Sequence, residues 1–211
     1  MLHLVLRALE FSALFVVFPL LIYFRRIPNL PIPYLLVAAT AVFFLLKHDS
    51  TFDSTQLFSW GDASAFLGPL LLRDSICLAA LALAVRALAP ELLFSFVKKS
   101  PRLWALVMHL YPLLSVYPQE LLYRAWFFHR YASLFGNGWG MLLASAIAFG
   151  FAHIIFRNNL AVCLCILGGF LFSLTYHQSG SLLLTCLDHT LFGNFLFTIG
   201  LGQFFYHRLR L

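Results

Sequence analysis

Charge is what this sequence has least of. Asp, Glu, Lys and Arg make up 10% of its 211 residues, where a soluble domain carries about 25%. That scarcity excludes an ordinary water-solvated surface. With 62% hydrophobic residues, the chain also holds more apolar side chain than one soluble core can enclose. Cysteine is sparse: Cys77, Cys163, Cys165 and Cys186 all sit in apolar stretches, and none forms a Cys-x-x-Cys pair. The Cys-x-Cys at 163 and 165 is weak as a metal signal, so buried reduced thiols are expected. There is no internal repeat, which argues mildly against a transporter built of repeated halves. There is no Gly-x-Ser-x-Gly turn, which weakens a serine mechanism, and no His-Glu-x-x-His helix of the zincin kind. The net charge is +6. Its Lys and Arg are scattered between apolar blocks, as topology-setting loop charges are, and no nucleic-acid partner is expected.

What is present is apolar length. The mean hydropathy is +0.88, and 24 residues are Phe. A membrane span needs about 20 mostly apolar residues. That rule predicts helices near 4–24, 31–47, 64–90, 103–131, 140–156, 160–177 and 181–204. The third is expected to be a span with a short lead-in segment, because Gly68-Pro69 and Arg73-Asp74 interrupt it. The fold class is therefore an all-α polytopic transmembrane bundle of about seven spans (six to eight), forming one membrane domain over 1–211. The first apolar run ends on Arg25-Arg26 with no small-residue cleavage site, so it reads as a retained span. Arg25, Arg26, Lys98, Lys99, Arg102, Arg157, Arg208 and Arg210 fall on one side under seven spans. Asp49, Asp53, Asp62, Arg130 and His177 fall on the other. The positive-inside rule then predicts a cytoplasmic C-terminus, and the compact size suggests a prokaryotic plasma membrane.

Against this background Glu120 stands out, because an ionisable residue within a span is costly and points to function. Arg124 lies one turn on and shares its face, so the two can pair. A packing pair and a catalytic one are equally compatible with that spacing. His153 and His189 supply further chemistry on other helices, although a lone membrane His is usually a helix–helix hydrogen-bond donor. The three residues lie about 11, 13 and 9 residues from the same-side ends of their helices, within roughly 6 Å in depth at 1.5 Å per residue. A carboxylate in a water-poor cavity can take a proton from water, and a His can share that water. A second His with the Asn194 amide can stabilise an oxyanion. Two His and one Glu could hold zinc, but carboxylate-activated water needs no metal, and no cofactor is expected. Asp188 either orients His189 or caps a polar patch. Arg7 with Glu10, and Arg73 with Asp74, can pair or snorkel. His129, His177 and His207 read as interfacial.

These residues resemble the CAAX prenyl endopeptidase and bacteriocin-processing family, known as CPBP or Abi. The family pattern is Glu-Glu-x-x-x-Arg, then Phe-x-x-x-His, then His-x-x-x-Asn or Asp. Here the first motif reads Gln119-Glu120-Leu121-Leu122-Tyr123-Arg124, the second runs from Phe149 to His153, and Ser179-Gly180-Ser181-Leu182 resembles the approach to the third, at His189. The likeness spans roughly residues 100 to 200. It implies a motif-bearing core over 100–204, with accessory helices over 1–99, and a glutamate-dependent intramembrane protease acting on a membrane protein or peptide. By that resemblance Glu120 is the base, His153 its partner, and His189 with Asn194 the oxyanion donors. Arg124 holds Glu120, and Gln119 can bond the substrate backbone. Two departures matter. Gln119 stands where the family has its first Glu and cannot accept the proton. Gly193 occupies the fourth position after His189, with Asn194 one step late. A catalytically silent protein of this type that binds a membrane partner, in immunity or regulation, and a small proton-coupled transporter, are the alternatives.

Overall fold

A computed structural model describes residues 1–60 and 62–205. The basic tail residues Arg208 and Arg210, and His207, lie outside the described residues. Seven helices longer than ten residues form the bundle, with no strand among the described residues. They are α1 (Leu2–Tyr23), α2 (Pro31–His48), α3 (Ala63–Leu88), α4 (101–135), α5 (Trp139–Phe156), α6 (Asn159–Ser179) and α7 (Leu182–Thr198). Five of them, α1, α2, α3, α5 and α6, are long and apolar enough to cross a membrane. Helix α7 is apolar but shorter. Helix α4 is more polar, because it carries Gln119, Glu120, Arg124, His129 and Arg130. The chain is an integral membrane protein of all-α class.

Helix boundaries follow local chemistry. Pro31 and Pro101 open α2 and α4, where a missing N–H leaves no helical bond unmade. The Asn158 side chain accepts from Ala161 N at 3.0 Å, and Ser181 Oγ accepts from Leu184 N at 3.1 Å. These caps start α6 and α7. The expected lead-in before the third span is absent: α3 is one continuous helix with Pro69 inside it. Helix α4 contains two π-helical stretches, Pro112–Val116 and Leu121–Trp126, on either side of Tyr117–Glu120. Pro112 and Pro118 each remove an N–H from the regular ladder, and wide turns of this kind gather at functional sites.

Packing brings α5 and α6 closest. A Cβ on Gly150 would lie 2.2 Å from Ile166 Cγ1 and 3.0 Å from its backbone N. Small residues at a helix contact are how membrane helices approach without a hydrophobic drive between them. Between α1 and α4, Phe11, Phe15, Phe127 and Tyr131 meet mostly edge-to-face at 5.2–5.9 Å. Glu10 is held there by Arg130, with Nε at 2.8 Å, and by the Tyr131 hydroxyl at 3.0 Å. Arg7 instead donates to His3, so the Arg7–Glu10 pairing suggested by adjacency does not form. Side chains such as Leu72, Leu83, Val37 and Leu113 point outward, as a lipid-facing exterior requires.

The polar loop after α2 is tied down by its acids. Asp49 accepts from the Thr51 hydroxyl at 2.6 Å and pairs with His129 Nε2 at 2.9 Å. The Thr51 hydroxyl first, and then His129, hold the Asp49 carboxyl well below the usual carboxylate range. Asp53 caps the short turn Ser54–Leu57 through Thr55 N.

Candidate active site

The π-helical stretches of α4 aim Glu120 inward, where it is fully buried together with Arg124. One carboxylate oxygen, Oε1, lies 2.7 Å from His189 Nδ1 on α7. The other, Oε2, lies 3.1 Å from Arg124 Nε, an ion pair rather than a well-directed hydrogen bond. Arg124 also donates to Ser145 Oγ at 3.1 Å and to the Gly169 carbonyl at 3.2 Å, from α5 and α6. Its guanidinium lies 5.1 Å from the Phe149 ring centroid. A carboxylate can only accept, so Glu120 fixes the hydrogen of a neutral His189 on Nδ1 and leaves Nε2 as the acceptor. The His189 ring is stacked on Phe172 at 4.5 Å and meets Phe149 edge-on at 5.5 Å.

His153 opens the last, 3-10 turn of α5. Its Nδ1 donates to the Phe149 carbonyl at 2.7 Å, so a neutral ring again carries its lone pair on Nε2. Its ring lies 4.9 Å from Phe149. The two imidazoles thus flank one aromatic ring. Glu120 is brought to His189 and not to His153, so its carboxylate backs the motif-three histidine.

Both histidines line a cavity of about 1840 Å³ with mainly apolar walls, and Tyr111, Ser115 and Gln119 are among its other polar side chains. Glu120, Arg124 and Asn194 lie behind that wall. Gln119 donates an amide hydrogen to Ser115 Oγ at 2.6 Å. Asn194 is turned from His189 and donates to the Met108 carbonyl at 3.3 Å. One residue past the fourth position, it is rotated about 100° around the helix. The residue that sequence reasoning missed is Tyr111, whose hydroxyl lies 2.9 Å from His189 Nε2. Gly193 was the available signal, as the fourth residue after His189 with no side chain.

Asp188 belongs to a separate cluster. It accepts from Arg73 at 2.7 Å and from the Thr175 hydroxyl at 2.5 Å, while Arg73 also pairs with Asp74 at 2.7 Å. This network ties α3, α6 and α7 together. It makes Asp188 an anchor for a polar patch instead of an orienter of His189. Among the described residues, no group of three or more His, Cys, Asp and Glu is placed to hold a metal ion.

Residues 101–195 match the family of type II CAAX prenyl endopeptidase Rce1-like proteins. No curated protein and no solved structure matches the chain. The matched segment runs from the start of α4 into α7 and contains all three motifs.

Proposed function

Taking residues 101–195 as an Rce1-like segment of the CPBP family, we propose that the protein is an intramembrane endopeptidase. It hydrolyses a peptide bond of a membrane-associated protein or peptide, with water activated by Glu120 acting through His189. The observation that carries this reading is the 2.7 Å Glu120–His189 contact behind an imidazole that lines the large cavity. A carboxylate that holds Nδ1–H orients the ring and stabilises the imidazolium that forms when Nε2 takes a proton. Direct use of Glu120 as base is disfavoured, because both its oxygens are engaged and it lies behind the cavity wall.

Water donates one hydrogen to His189 Nε2 and the other to His153 Nε2, which turns its oxygen lone pair toward the carbonyl carbon. On attack, a C–O bond forms, one water proton moves to His189 Nε2, and the carbonyl π electrons become an alkoxide. Collapse restores the carbonyl, breaks the C–N bond, and returns the proton from His189 to the leaving amine. Water is consumed, and an acid and an amine are released. No metal or other cofactor takes part. In this reading Gln119, whose side chain lines the cavity, binds substrate backbone.

One observation favours the silent, partner-binding alternative: Gln119 removes an acid from the cavity wall. The two readings separate on purified protein in liposomes, incubated with a pool of membrane and lipidated peptides. New termini made by wild type, and absent with His189→Ala and with His153→Ala, support the endopeptidase. Identical termini in all three samples, from a pool that another family member cleaves, would leave the partner-binding protein.

A further inference from the structure

Tyr111 carries no motif, yet it touches the centre of the site. Its hydroxyl is 2.9 Å from His189 Nε2, and its ring meets that imidazole edge-on at 5.9 Å. The ring is braced on the other side by Phe197 at 5.3 Å. The position on α7 that would face it is Gly193. A Cβ there would lie 2.4 Å from the Tyr111 hydroxyl oxygen and 2.3 Å from a ring carbon. The tyrosine therefore fits only because residue 193 has no side chain. Asn194 is turned onto Met108 and offers nothing to the cavity. A polar group from α4 thus stands where α7 has none.

We propose that Tyr111 is a catalytic residue, the hydroxyl donor that binds the developing oxyanion; this rests on the endopeptidase reading above. At rest the phenolic hydrogen is donated to His189 Nε2. When a peptide carbonyl enters, the O–H turns about its C–O bond toward the carbonyl oxygen. That turn also releases the Nε2 lone pair, which accepts the proton of the attacking water. One rotation readies both the electrophile and the base, so the resting site is held inactive until substrate arrives. The phenol stays protonated throughout. The water proton goes to Nε2, and the carbonyl π electrons go to the oxygen that accepts the phenol hydrogen bond. Donors aimed at developing charge in a water-poor site contribute about 10²–10³-fold in kcat each.

The test uses full-length protein in liposomes and a peptide that wild type cleaves. Tyr111→Phe keeps the ring and removes the hydroxyl. It is expected to lower kcat by about 10²–10³-fold while KM stays within about threefold. A phosphinate peptide that mimics the tetrahedral state should bind more weakly by a similar factor. Gly193→Asn alone should be inactive through collision with Tyr111. The double variant Tyr111→Leu/Gly193→Asn, which moves the donor onto α7, should be at least about tenfold more active than Tyr111→Leu. Wild-type kcat in Tyr111→Phe, or a change in KM alone, would overturn the assignment, as would a double variant no better than Tyr111→Leu. A wild type that cleaves nothing defeats the endopeptidase reading itself. That outcome differs from an active enzyme indifferent to Tyr111.

Discussion

Replacing Arg124 with Met probes the buried support of the site. Methionine keeps an unbranched apolar stem of similar length and removes the guanidinium, which lies 5.1 Å from the Phe149 ring centroid. The Glu120 Oε2 oxygen then loses its ion pair at 3.1 Å. Ser145 Oγ and the Gly169 carbonyl lose their donor as well. Glu120 and Arg124 are both fully buried, so the carboxylate cannot recover hydration. Removing one partner of such a pair is destabilising by about 3–5 kcal/mol. Glu120→Gln on its own leaves Arg124 as the uncompensated charge and falls in the same range. The double variant Arg124→Met/Glu120→Gln leaves no unpaired charge and should recover at least about 1–2 kcal/mol relative to the sum of the singles. Unfolding titrations in micelles with an SDS gradient give all four values of the cycle. If Arg124→Met stays within about 1 kcal/mol of wild type, or if the two changes simply add, the pair is not the support described here.

Two other perturbations test separate parts of the architecture. Gly150→Ala forces a Cβ toward the Ile166 backbone N at 3.0 Å, where the α5–α6 contact has to open. Overpacking of this kind is destabilising by about 1–3 kcal/mol, so the thermal midpoint should fall, and wild-type stability would contradict the close contact. Asp49 has its carboxyl pKa depressed, mainly by the Thr51 hydroxyl. Its contribution is therefore present above the unfolded value near about 3.9 and is lost as pH falls through the lower folded value. Asp49→Asn should flatten that acid limb of a stability–pH profile. An unchanged limb would show that the Thr51 and His129 contacts do not hold the loop.

The helices were legible because lipid selects long apolar runs. Five of the seven were expected within three residues of both observed ends; the last was so only at its N-terminus, because it stops at Thr198 before a 3-10 turn. Helix α4 extends further at its C-terminal end than expected. Its Phe127–Phe135 stretch mixes apolar with polar and basic residues, which blurs a hydropathy boundary. Partners were harder to read. Glu10 binds Arg130, and Arg73 binds Asp188, pairings that only tertiary packing creates. Arg73 had an adjacent acid as well and kept both. At the site, the motif residues stood out because ionisable groups are rare in spans. Glu120's choice of His189 over His153 depends on rotation within α4, and the π-helical stretches near Pro112 and Pro118 alter that rotation. Tyr111 was hidden for another reason: one tyrosine among eight reads as packing or as an aromatic belt until Gly193 is placed opposite it.

The most direct measurement is single-turnover cleavage of a susceptible membrane peptide by wild type and by Glu120→Gln in liposomes. Gln can donate a hydrogen to His189 Nδ1 and so favours the wrong tautomer, which places the hydrogen on Nε2. A rate reduced by about 10³–10⁴-fold with peptide binding retained is expected, on the scale known for an orienting carboxylate behind a histidine base. A Glu120→Gln protein that cleaves at the wild-type rate would show that His189 is not the base Glu120 is taken to orient.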